Sequence, residues 1–175
     1  MKSKSFSGMK CSIASALELI GDRWSFLIIR DMSFGVRRYD DLRQGLGISP
    51  ATLAAKLKHL EASGLITRHR YEERPPRDEY RLSDKGRDLW KVLFALREWG
   101  DRWDANGSGD VTIDMVDQET GGPLKLAIVD ETSGLIVSPD KIALRAAGGA
   151  DASTHRLLGF AKRPDVDVRG DVAGA

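Results

Sequence analysis

Two groups of polar, basic and small side chains between residues 49 and 77 have the types and spacing that contact nucleic acid. The first group consists of Ser49, Ala51, Thr52, Ala55, Lys56, Lys58 and His59. The second group consists of Arg68, Arg70, Arg74 and Arg77. Basic side chains bind phosphate, hydroxyl groups bond to phosphates or base edges, and alanine can contact the thymine methyl group. We therefore expect these two groups to contact DNA.

The first group lies on a predicted helix. Ser49 can accept a hydrogen bond from an unpaired backbone N–H, and Pro50 suits the first helical position because it has no N–H to leave unpaired. Gly64 ends the helix. Its apolar face is formed by Leu53, Leu57 and Leu60. The residues predicted to point outward are Ser49, Thr52, Lys56 and His59, while Lys58 lies toward the flank and suits a phosphate contact.

The second group lies on a predicted hairpin, in which "LITRHRY" and "DEYRL" form strands and the diproline of "EERPPR" stiffens the tip. Arg68 and Arg70 share one strand face because they are two residues apart. Glu72 and Glu73 would repel phosphate unless they turn away from it. A helix about 10–12 Å wide fits the major groove, and a basic hairpin beside it can follow the backbone or enter the minor groove.

Further helices must position the predicted DNA-binding helix and the hairpin beside it. We predict helices over about Ser12–Ile20, from after Asp22, a good N-cap, to before Gly35, and over about Tyr39–Gln44. After the hairpin, Ser83 caps one long helix that reaches about Trp103. Its apolar stripe includes Leu89, Leu93, Leu96, Trp99 and Trp103. This stripe is wider than packing on one small domain needs, which favours a dimer interface with a second copy; the alternative is burial within one subunit.

The remaining third of the chain is predicted to be a separate appendage. Residues 104–110, "DANGSGD", have the composition of a linker, and residues 111–175 form a small β-rich extension. We expect a hairpin around "DETSG" and a further strand at "DKIALRA". The segments "AAGGADAST" and "DVRGDVAGA" are expected to be loose.

The charge changes sign along the chain, although the net charge of the 175 residues is only +1. Residues 1–103 carry 20 Lys and Arg against 14 Asp and Glu, whereas residues 104–175 carry 7 against 12. A basic first part suits a polyanion, and the acidic last part indicates another task. No apolar run is long enough for a membrane span or a secretory signal, so we expect a cytoplasmic protein.

The sequence lacks the residue patterns that enzyme catalysis or metal binding would require. The three histidines, His59, His69 and His155, lie in unrelated segments, and no Ser-His-Asp, HExxH or phosphate-loop pattern is present. With one cysteine, the chain is a poor match to a structural zinc site. We expect no enzyme activity, no cofactor and no metal.

The run from Leu17 to Leu89 closely resembles the HxlR-type winged helix-turn-helix transcription regulators. The matching motifs are "IGDRW", "RRYDDL", "GIS" before the leucine-spaced helix, "GLITR" and "PPRDEYRLSDKG". The resemblance implies an α+β, mainly helical fold, with a winged helix-turn-helix domain over residues 1–103 that ends in a long dimerisation helix. It further implies a homodimer that binds a palindromic operator in double-stranded DNA, with repression as the expected outcome.

Two features remain open within this resemblance. Cys11 occupies the place where several members of the family carry a redox-sensing cysteine, and a position before a helix with Lys10 beside it favours the reactive thiolate. An oxidant or a small molecule is therefore a candidate signal, and a buried, inert thiol is the alternative. The rival function is a protein-interaction or ligand-sensing module that has kept the winged helix and lost DNA binding.

Overall fold

The computed structural model of the chain describes residues 5–161, which form two compact units. One unit comprises residues 5–7 and 12–125, and the other comprises residues 8–11 and 126–161. The predicted loose segment "DVRGDVAGA" lies outside the described residues.

Four helices open the first unit. They are α1, Ser12–Ile20; α2, Arg23–Ser33; α3, Tyr39–Leu46; and α4, Pro50–Ala62. The bounds of α1 are those predicted, and α2 starts directly after the predicted cap Asp22. The Oδ1 atom of Asp22 accepts hydrogen bonds from the backbone N–H groups of Trp24 and Ser25 at 3.0 and 3.1 Å. Within the described residues, no helix is long and apolar enough to cross a membrane.

The start of α4 confirms the serine-proline signal. The Oγ atom of Ser49 accepts a hydrogen bond from the backbone N–H of Thr52 at 3.2 Å, and Pro50 is the first helical residue. Gly64 follows the helix with φ at 69°, a left-handed conformation that glycine adopts without steric cost. The predicted apolar face is buried: Leu53, Leu57 and Leu60 are at most 2% exposed.

Two antiparallel strands follow: β1, Ile66–Glu73, and β2, Pro76–Leu82. The register pairs Ile66 with Leu82 and Arg70 with Asp78, and then shifts by one residue between Arg70 and Glu72. Both strands extend further into the predicted tip than the sequence indicated, and the Arg74–Pro75 peptide bond in the tip is cis. We call residues 66–82 the wing.

The helix after the wing is interrupted. The prediction of one helix from Ser83 to about Trp103 is wrong, because the chain forms α5, Asp84–Arg87, and α6, Trp90–Arg102, with a turn between them. In this turn the N–H of Leu89 bonds to the carbonyl of Gly86, three residues back instead of the four of an α-helix. Ser83 caps α5, and its Oγ atom donates to the carbonyl of Gly64 at 2.7 Å.

One hydrophobic core holds the first unit together. Its buried members are Ile20, Ile28, Ile29, Met32, Leu42, Ile48, Leu53, Leu57, Leu60, Leu65 and Ile66. All four of the opening helices and β1 contribute to this set, so the core fixes α4 and the base of the wing in one body. Leu89 and Leu93 pack against the same core while remaining partly exposed.

The chain after α6 contains little regular structure. Residues 104–110 form turns, and the second unit contains the short strands β3, Ile128–Val129, and β4, Ile136–Val137, which pair around the predicted "DETSG" turn. "DKIALRA" is not a strand: it begins in a 3-10 turn, Pro139–Lys141, and continues without regular structure. The end of "AAGGADAST" is not loose, because it opens α7, Ala152–Ala161.

Asp151 explains why a helix forms there. Its Oδ1 atom accepts hydrogen bonds from the backbone N–H of Thr154 at 2.9 Å and from the Ser153 hydroxyl at 2.7 Å. These bonds lower the pKa of Asp151 to about 2, with the Ser153 hydroxyl the largest cause. Asp151 therefore serves as a helix cap, a signal that the glycines and alanines around it conceal in the sequence.

Candidate nucleic-acid interface

The face of α4 opposite its buried leucines consists of small side chains and a lysine, Lys58. Ala51, Ala55 and Lys58 are exposed and lie opposite the buried leucines of this helix. Within residues 5–161, the Lys58 ammonium group forms no ion pair. At the start of the helix, the hydroxyl groups of Ser49 and Thr52 lie 2.8 Å apart. The backbone of α4 is thus open to close approach along this face.

Lys56 does not have the free outward position that the sequence predicts. Its Nζ atom lies 3.1 Å from Oδ2 of Asp22, and 28% of its side chain is exposed. Lys56 is three residues from Leu53 and one from Leu57, so it lies at the edge of the buried face and reaches the start of α2. The ion pair connects α4 to α2.

The Asp22 carboxylate is stabilised in its charged form. Burial alone would raise the pKa of Asp22, but hydrogen bonds from the Ser25 hydroxyl and backbone N–H and from Lys56 outweigh it, so the pKa lies below its ordinary value of 3.8. The Ser25 hydroxyl donates to Oδ2 at 2.5 Å. One carboxylate therefore caps α2 and binds α4 at the same time.

His59 also contacts the protein itself. Its Nε2 atom lies 2.9 Å from the carbonyl oxygen of Leu19, near the end of α1. The predicted outward orientation of His59 is thus incomplete: the ring is exposed, but one nitrogen is occupied by a backbone contact. Lys56 and His59 together connect α4 to the start of α2 and the end of α1.

The wing arginines are paired with wing carboxylates. Arg68 and Arg70 contact the same residue, Asp78, and the Nε atom of Arg70 lies 3.2 Å from its Oδ1 atom. The hydrogen bond from Arg68 is the largest cause of a lowered Asp78 pKa, and Arg70 adds to it. The two arginines do share one face of β1, as the spacing predicts, and that face is partly neutralised.

At the wing tip, Glu72 and Glu73 turn toward arginines. Arg77 Nε lies 3.3 Å from Glu72, and Arg70 Nη1 lies 4.0 Å from Glu73. Arg74 is exposed, and no ion pair of its guanidinium group is found in residues 5–161. Glu72 is thus paired with Arg77, whereas Glu73 lies at the limit of an ion pair and its side chain is 82% exposed.

The DNA contacts predicted from the sequence do not include two arginines beside the wing, Arg37 and Arg38. The Arg38 guanidinium stacks over the Tyr71 ring at 5.0 Å, and the carbonyl of Arg37 accepts a hydrogen bond from the Tyr80 backbone N–H at 2.8 Å. Both arginines are exposed. They belong to the motif "RRYDDL", whose pair of adjacent arginines before a helix was the available signal. In the same motif, the Tyr39 hydroxyl donates to the Pro50 carbonyl at 2.9 Å and joins α3 to α4.

The predicted dimer residues divide into two sets on the structure. Leu89 and Leu93 are partly buried against the core of their own chain. Leu96, Trp99 and Trp103 are 52%, 59% and 65% exposed. Val92, also exposed, lies on the same side of α6 as these three. We call Val92, Leu96, Trp99 and Trp103 the apolar patch.

Cys11 directly precedes α1 and is half-buried, and its backbone N–H donates to the carbonyl of Met9 at 2.9 Å. Among the described residues, no three His, Cys, Asp or Glu side chains converge in a way that could hold a metal ion.

Comparison with known proteins gives a consistent match over the first unit. The model of the HxlR-like helix-turn-helix family matches residues 19–108. An HTH-type transcriptional regulator of Mycobacterium tuberculosis is 46% identical over 92 residues, which are 53% of this chain and 58% of that relative. The chain therefore spans less than two thirds of the length of this relative.

Two solved structures extend the match to the fold. PA1607, described as a candidate transcription factor, is 30% identical with a TM-score of 0.72, and the match covers 82% of this chain and all of that one. The redox regulator HypR in its reduced form is 28% identical with a TM-score of 0.52, over 57% of this chain and all of HypR.

Proposed function

Because the chain belongs to the HxlR-like helix-turn-helix family, we propose that it is a sequence-specific DNA-binding transcription regulator. It acts as a homodimer on a palindromic operator, and it represses by occupying that operator. Each subunit places α4 in the major groove and the wing along the neighbouring backbone or minor groove.

The observation that carries this proposal is the exposed face of α4 beside an exposed, arginine-rich hairpin on one core. Ala51 and Ala55 allow the helix backbone to approach the floor of the groove, and Ser49 and Thr52 present hydroxyl groups at its start. Lys58 suits a phosphate contact. Lys56 and His59 act mainly by holding α4 in position, since both contact α1 or α2.

The arginines of the wing differ in how easily they can contact the DNA backbone. Arg74 is available at once, whereas Arg68, Arg70 and Arg77 must exchange a carboxylate for a phosphate. The exposed arginines Arg37 and Arg38 extend the same basic surface. This arrangement supports a wing that adds affinity without reading sequence.

Homodimer formation is supported by the apolar patch on α6. Three large side chains and one valine are exposed on one side of a helix, and an exposed apolar surface of this kind commonly marks a protein interface. Pairing of two copies through α6 would present two α4 helices to a two-fold symmetric operator.

The test is a titration of the protein with fluorescently labelled promoter DNA from its own genomic neighbourhood, measured by anisotropy at several salt concentrations. We expect a sequence preference over scrambled DNA of at least about a thousandfold and a steep loss of affinity with salt. Equal binding to scrambled DNA, or no binding, contradicts the proposal.

A matched pair of variants separates the interface from general charge. Arg74→Ala removes an unpaired arginine at the wing tip and should weaken operator binding. Lys141→Ala removes an exposed lysine of the second unit and should leave operator binding unchanged. Equal losses in the two variants would indicate that only overall charge matters.

One observation favours the rival function, a winged-helix interaction module without DNA binding. Arg68, Arg70 and Arg77 are already paired with carboxylates, so the wing carries little free positive charge. On this alternative the Arg74→Ala variant keeps its full partner-binding activity, and the promoter titration shows no salt-dependent binding of DNA.

An oxidant signal through Cys11 is a further part of the proposal. It is supported by the position of the thiol directly before α1 and by the likeness to HypR. Because the chain has one cysteine, oxidation by diamide would join Cys11 of two copies, with two thiol protons and two electrons passing to the diamide.

We expect diamide to produce a disulfide-linked dimer on a non-reducing gel and to change operator affinity at least severalfold in the native protein. Cys11→Ser should show neither effect. The same change of operator affinity in both proteins would remove Cys11 from the signal.

A further inference from the structure

The first unit contains a cavity that the DNA-binding surface does not use. It has a volume of about 590 Å³ and lies between α2, α6 and residues 113–116. Its lining is mainly apolar and includes the aromatic rings of Phe26, Phe34, Trp90 and Phe94. The volume lies within the range of roughly 300–1,000 Å³ that is usual for small-molecule sites.

Part of the aromatic lining is in contact with water. Phe34 and Trp90 are 67% and 48% exposed, whereas Phe94 is only 4% exposed. A ligand that lies between these rings would remove the exposed apolar surface from water, which is favourable for an apolar ligand. The lining thus favours a molecule that is itself mainly apolar.

The two arginines of the lining are already paired with carboxylates. Nη2 of Arg30 lies 2.7 Å from Oδ1 of Asp31, and Nε of Arg97 lies 3.0 Å from Oδ2 of Asp101. Nη1 of Arg97 is buried, so it does not reach a ligand in the cavity. An anionic ligand would therefore have to displace a carboxylate of the protein from one of these arginines.

Asp114 is the remaining charged residue of the lining. It is exposed, so water hydrates its carboxylate. A cation that approached Asp114 would also meet the positive charges of Arg30 and Arg97 in the same lining. The Ser33 hydroxyl, a further polar group there, donates to the carbonyl of Ile29 at 2.8 Å. The lining therefore favours a ligand without charge, since an ion would lose hydration and gain no free partner.

The cavity and the apolar patch lie on different sides of α6. Successive residues of an α-helix are rotated by about 100°, so Trp90, Phe94 and Arg97 point to one side, and the apolar patch is centred about 150° away. Residues 113–116 of the same chain line the cavity as well. A second copy that pairs through the apolar patch would therefore meet the cavity at most at its rim, where Leu96 lies.

We propose that this cavity binds a planar, uncharged aromatic molecule, which lies among the rings of Phe26, Phe34, Trp90 and Phe94. Aromatic rings favour offset-stacked and edge-to-face contacts with one another, so a planar aromatic body matches this lining. The site is an effector site, a role that rests on the proposed function.

The route from this site to DNA runs through α2. Phe26 and Arg30 of α2 line the cavity, and the cap of α2, Asp22, holds Lys56 of α4. A ligand that displaces α2 would change how firmly α4 is held. Binding at the cavity and operator affinity would then be coupled, and the coupling would be reciprocal.

The experiment uses N-phenyl-1-naphthylamine as the probe, an uncharged aromatic molecule whose fluorescence rises in apolar surroundings. Titration of the full chain without DNA should show saturable binding of one probe molecule per chain. The absence of saturable binding overturns the proposal.

Three competitors of nearly the same shape test the charge of the ligand: 2-acetonaphthone is uncharged, 2-naphthoate is an anion and 2-naphthamidine is a cation. The uncharged ketone should displace the probe at a concentration at least about tenfold lower than either ion, because an ion loses its hydration in the cavity. Displacement by either ion at the same concentration as the ketone overturns the proposed class of ligand.

Variants locate the probe. Trp90→Ala removes a ring of the lining and should weaken probe binding at least about tenfold. Ser33→Phe adds a ring at an exposed position of the lining and should block the cavity without disturbing the core. Trp103→Ala removes an exposed ring of the same size from the apolar patch and should leave probe binding unchanged. Equal losses in Trp90→Ala and Trp103→Ala, or unchanged binding in both Trp90→Ala and Ser33→Phe, overturn the assignment of this cavity.

Light scattering tests the other possible occupant, a second copy of the chain. Trp90→Ala and Ser33→Phe should both keep the mass of the native protein, since the cavity lies away from the apolar patch. Half the native mass in either variant would mean that a second copy fills the cavity, which overturns the proposal.

The DNA arm separates this inference from the proposed function. A saturating concentration of the probe should change operator affinity at least threefold in the native protein and not in Ser33→Phe. A protein that binds the probe and no operator contradicts the proposed function alone. A protein that binds the operator and no probe contradicts the effector site alone, and unchanged operator affinity with the probe bound overturns the coupling.

Discussion

The carboxylate of Asp22 serves two helices at once. It caps α2 through the backbone N–H groups of Trp24 and Ser25, and it binds the ammonium group of Lys56 on α4. His59 adds a second connection, from α4 to the Leu19 carbonyl. Lys56 and His59, which a helical projection assigns to DNA, therefore maintain the position of α4.

Lys56 and Lys58 should differ in how their loss changes the salt dependence of operator binding. Replacing Lys58 with glutamine removes the proposed phosphate contact, so the slope of log K against log salt should fall by about one unit. Replacing Lys56 with glutamine should leave that slope unchanged, weaken binding uniformly, and lower the free energy of unfolding by less than about 1 kcal/mol.

Anisotropy titrations from 50 to 300 mM salt measure both slopes, and urea denaturation measures the unfolding. A reduced slope for Lys56→Gln would mean that Lys56 leaves Asp22 to bind phosphate in the complex.

The start of a helix could be predicted where it depends on residues that are close to it in sequence. The Ser49–Pro50 pair and the Asp22 cap fixed the starts of α4 and α2, because a cap acts through hydrogen bonds to residues two or three positions away. The long-range contact of Lys56 was not predictable, since nothing in the pattern of α4 specifies that Asp22 lies beside it. The outward orientation of Lys56 was inferred from the pattern of α4 alone, whereas its actual orientation depends on Asp22 at the start of α2.

Errors arose where an element depends on tertiary packing or lacks apolar periodicity. The break between α5 and α6 lies at residues 88–89, where the N–H of Leu89 bonds three residues back to Gly86, and an apolar stripe does not record such a turn. The helix α7 was missed because its small residues conceal the cap Asp151. The segment "DKIALRA", predicted as a strand, contains the apolar run Ile142–Leu144, but it has no partner strand in the described residues.

Gly86 should be intolerant of any side chain. A Cβ atom at this position would lie 2.1 Å from the carbonyl oxygen of Leu65. Gly86→Ala should therefore lower the free energy of unfolding by about 1–3 kcal/mol, because α5 must move away from the base of the wing.

The matched control is Gly45→Ala in α3, where the nearest atom to a Cβ, in Asp31, is 3.8 Å away. Alanine restricts the unfolded chain more than glycine does, so this variant should gain about 0.4–1 kcal/mol. Urea denaturation with unchanged m values compares the two. Equal stability of both variants would contradict the close packing at Gly86.

The whole molecule combines a well-packed first unit with a second unit of little regular structure. The core places α4 and the wing in one body, and α6 carries the apolar patch on the side that the core does not cover. On the proposed function, a pair of such bodies would be the functional molecule, since one α4 helix would read only half of a palindrome.

Trp99→Glu should convert the dimer to a monomer, because a carboxylate in an apolar interface loses its hydration without gaining a partner. Size-exclusion chromatography with light scattering should report half the native mass, and operator affinity should fall at least about tenfold as the second half-site is lost. Leu144→Glu, an exposed leucine of the second unit, is the control and should leave the mass unchanged. A dimeric Trp99→Glu variant would exclude the apolar patch as the interface.

On the proposed function, the carboxylates of the wing would affect how the protein searches a chromosome. Residues 66–82 contain five arginines against four carboxylates, so the wing is nearly neutral as a whole. Arbitrary DNA offers phosphates that must compete with carboxylates already in place, which keeps its hold on the protein weak and brief. At a matching operator, the proposed contacts from α4 would hold the wing against the backbone long enough for the arginines to change partners. The ion pairs of the wing would thus lower the affinity for the millions of competing sites more than the affinity for the operator.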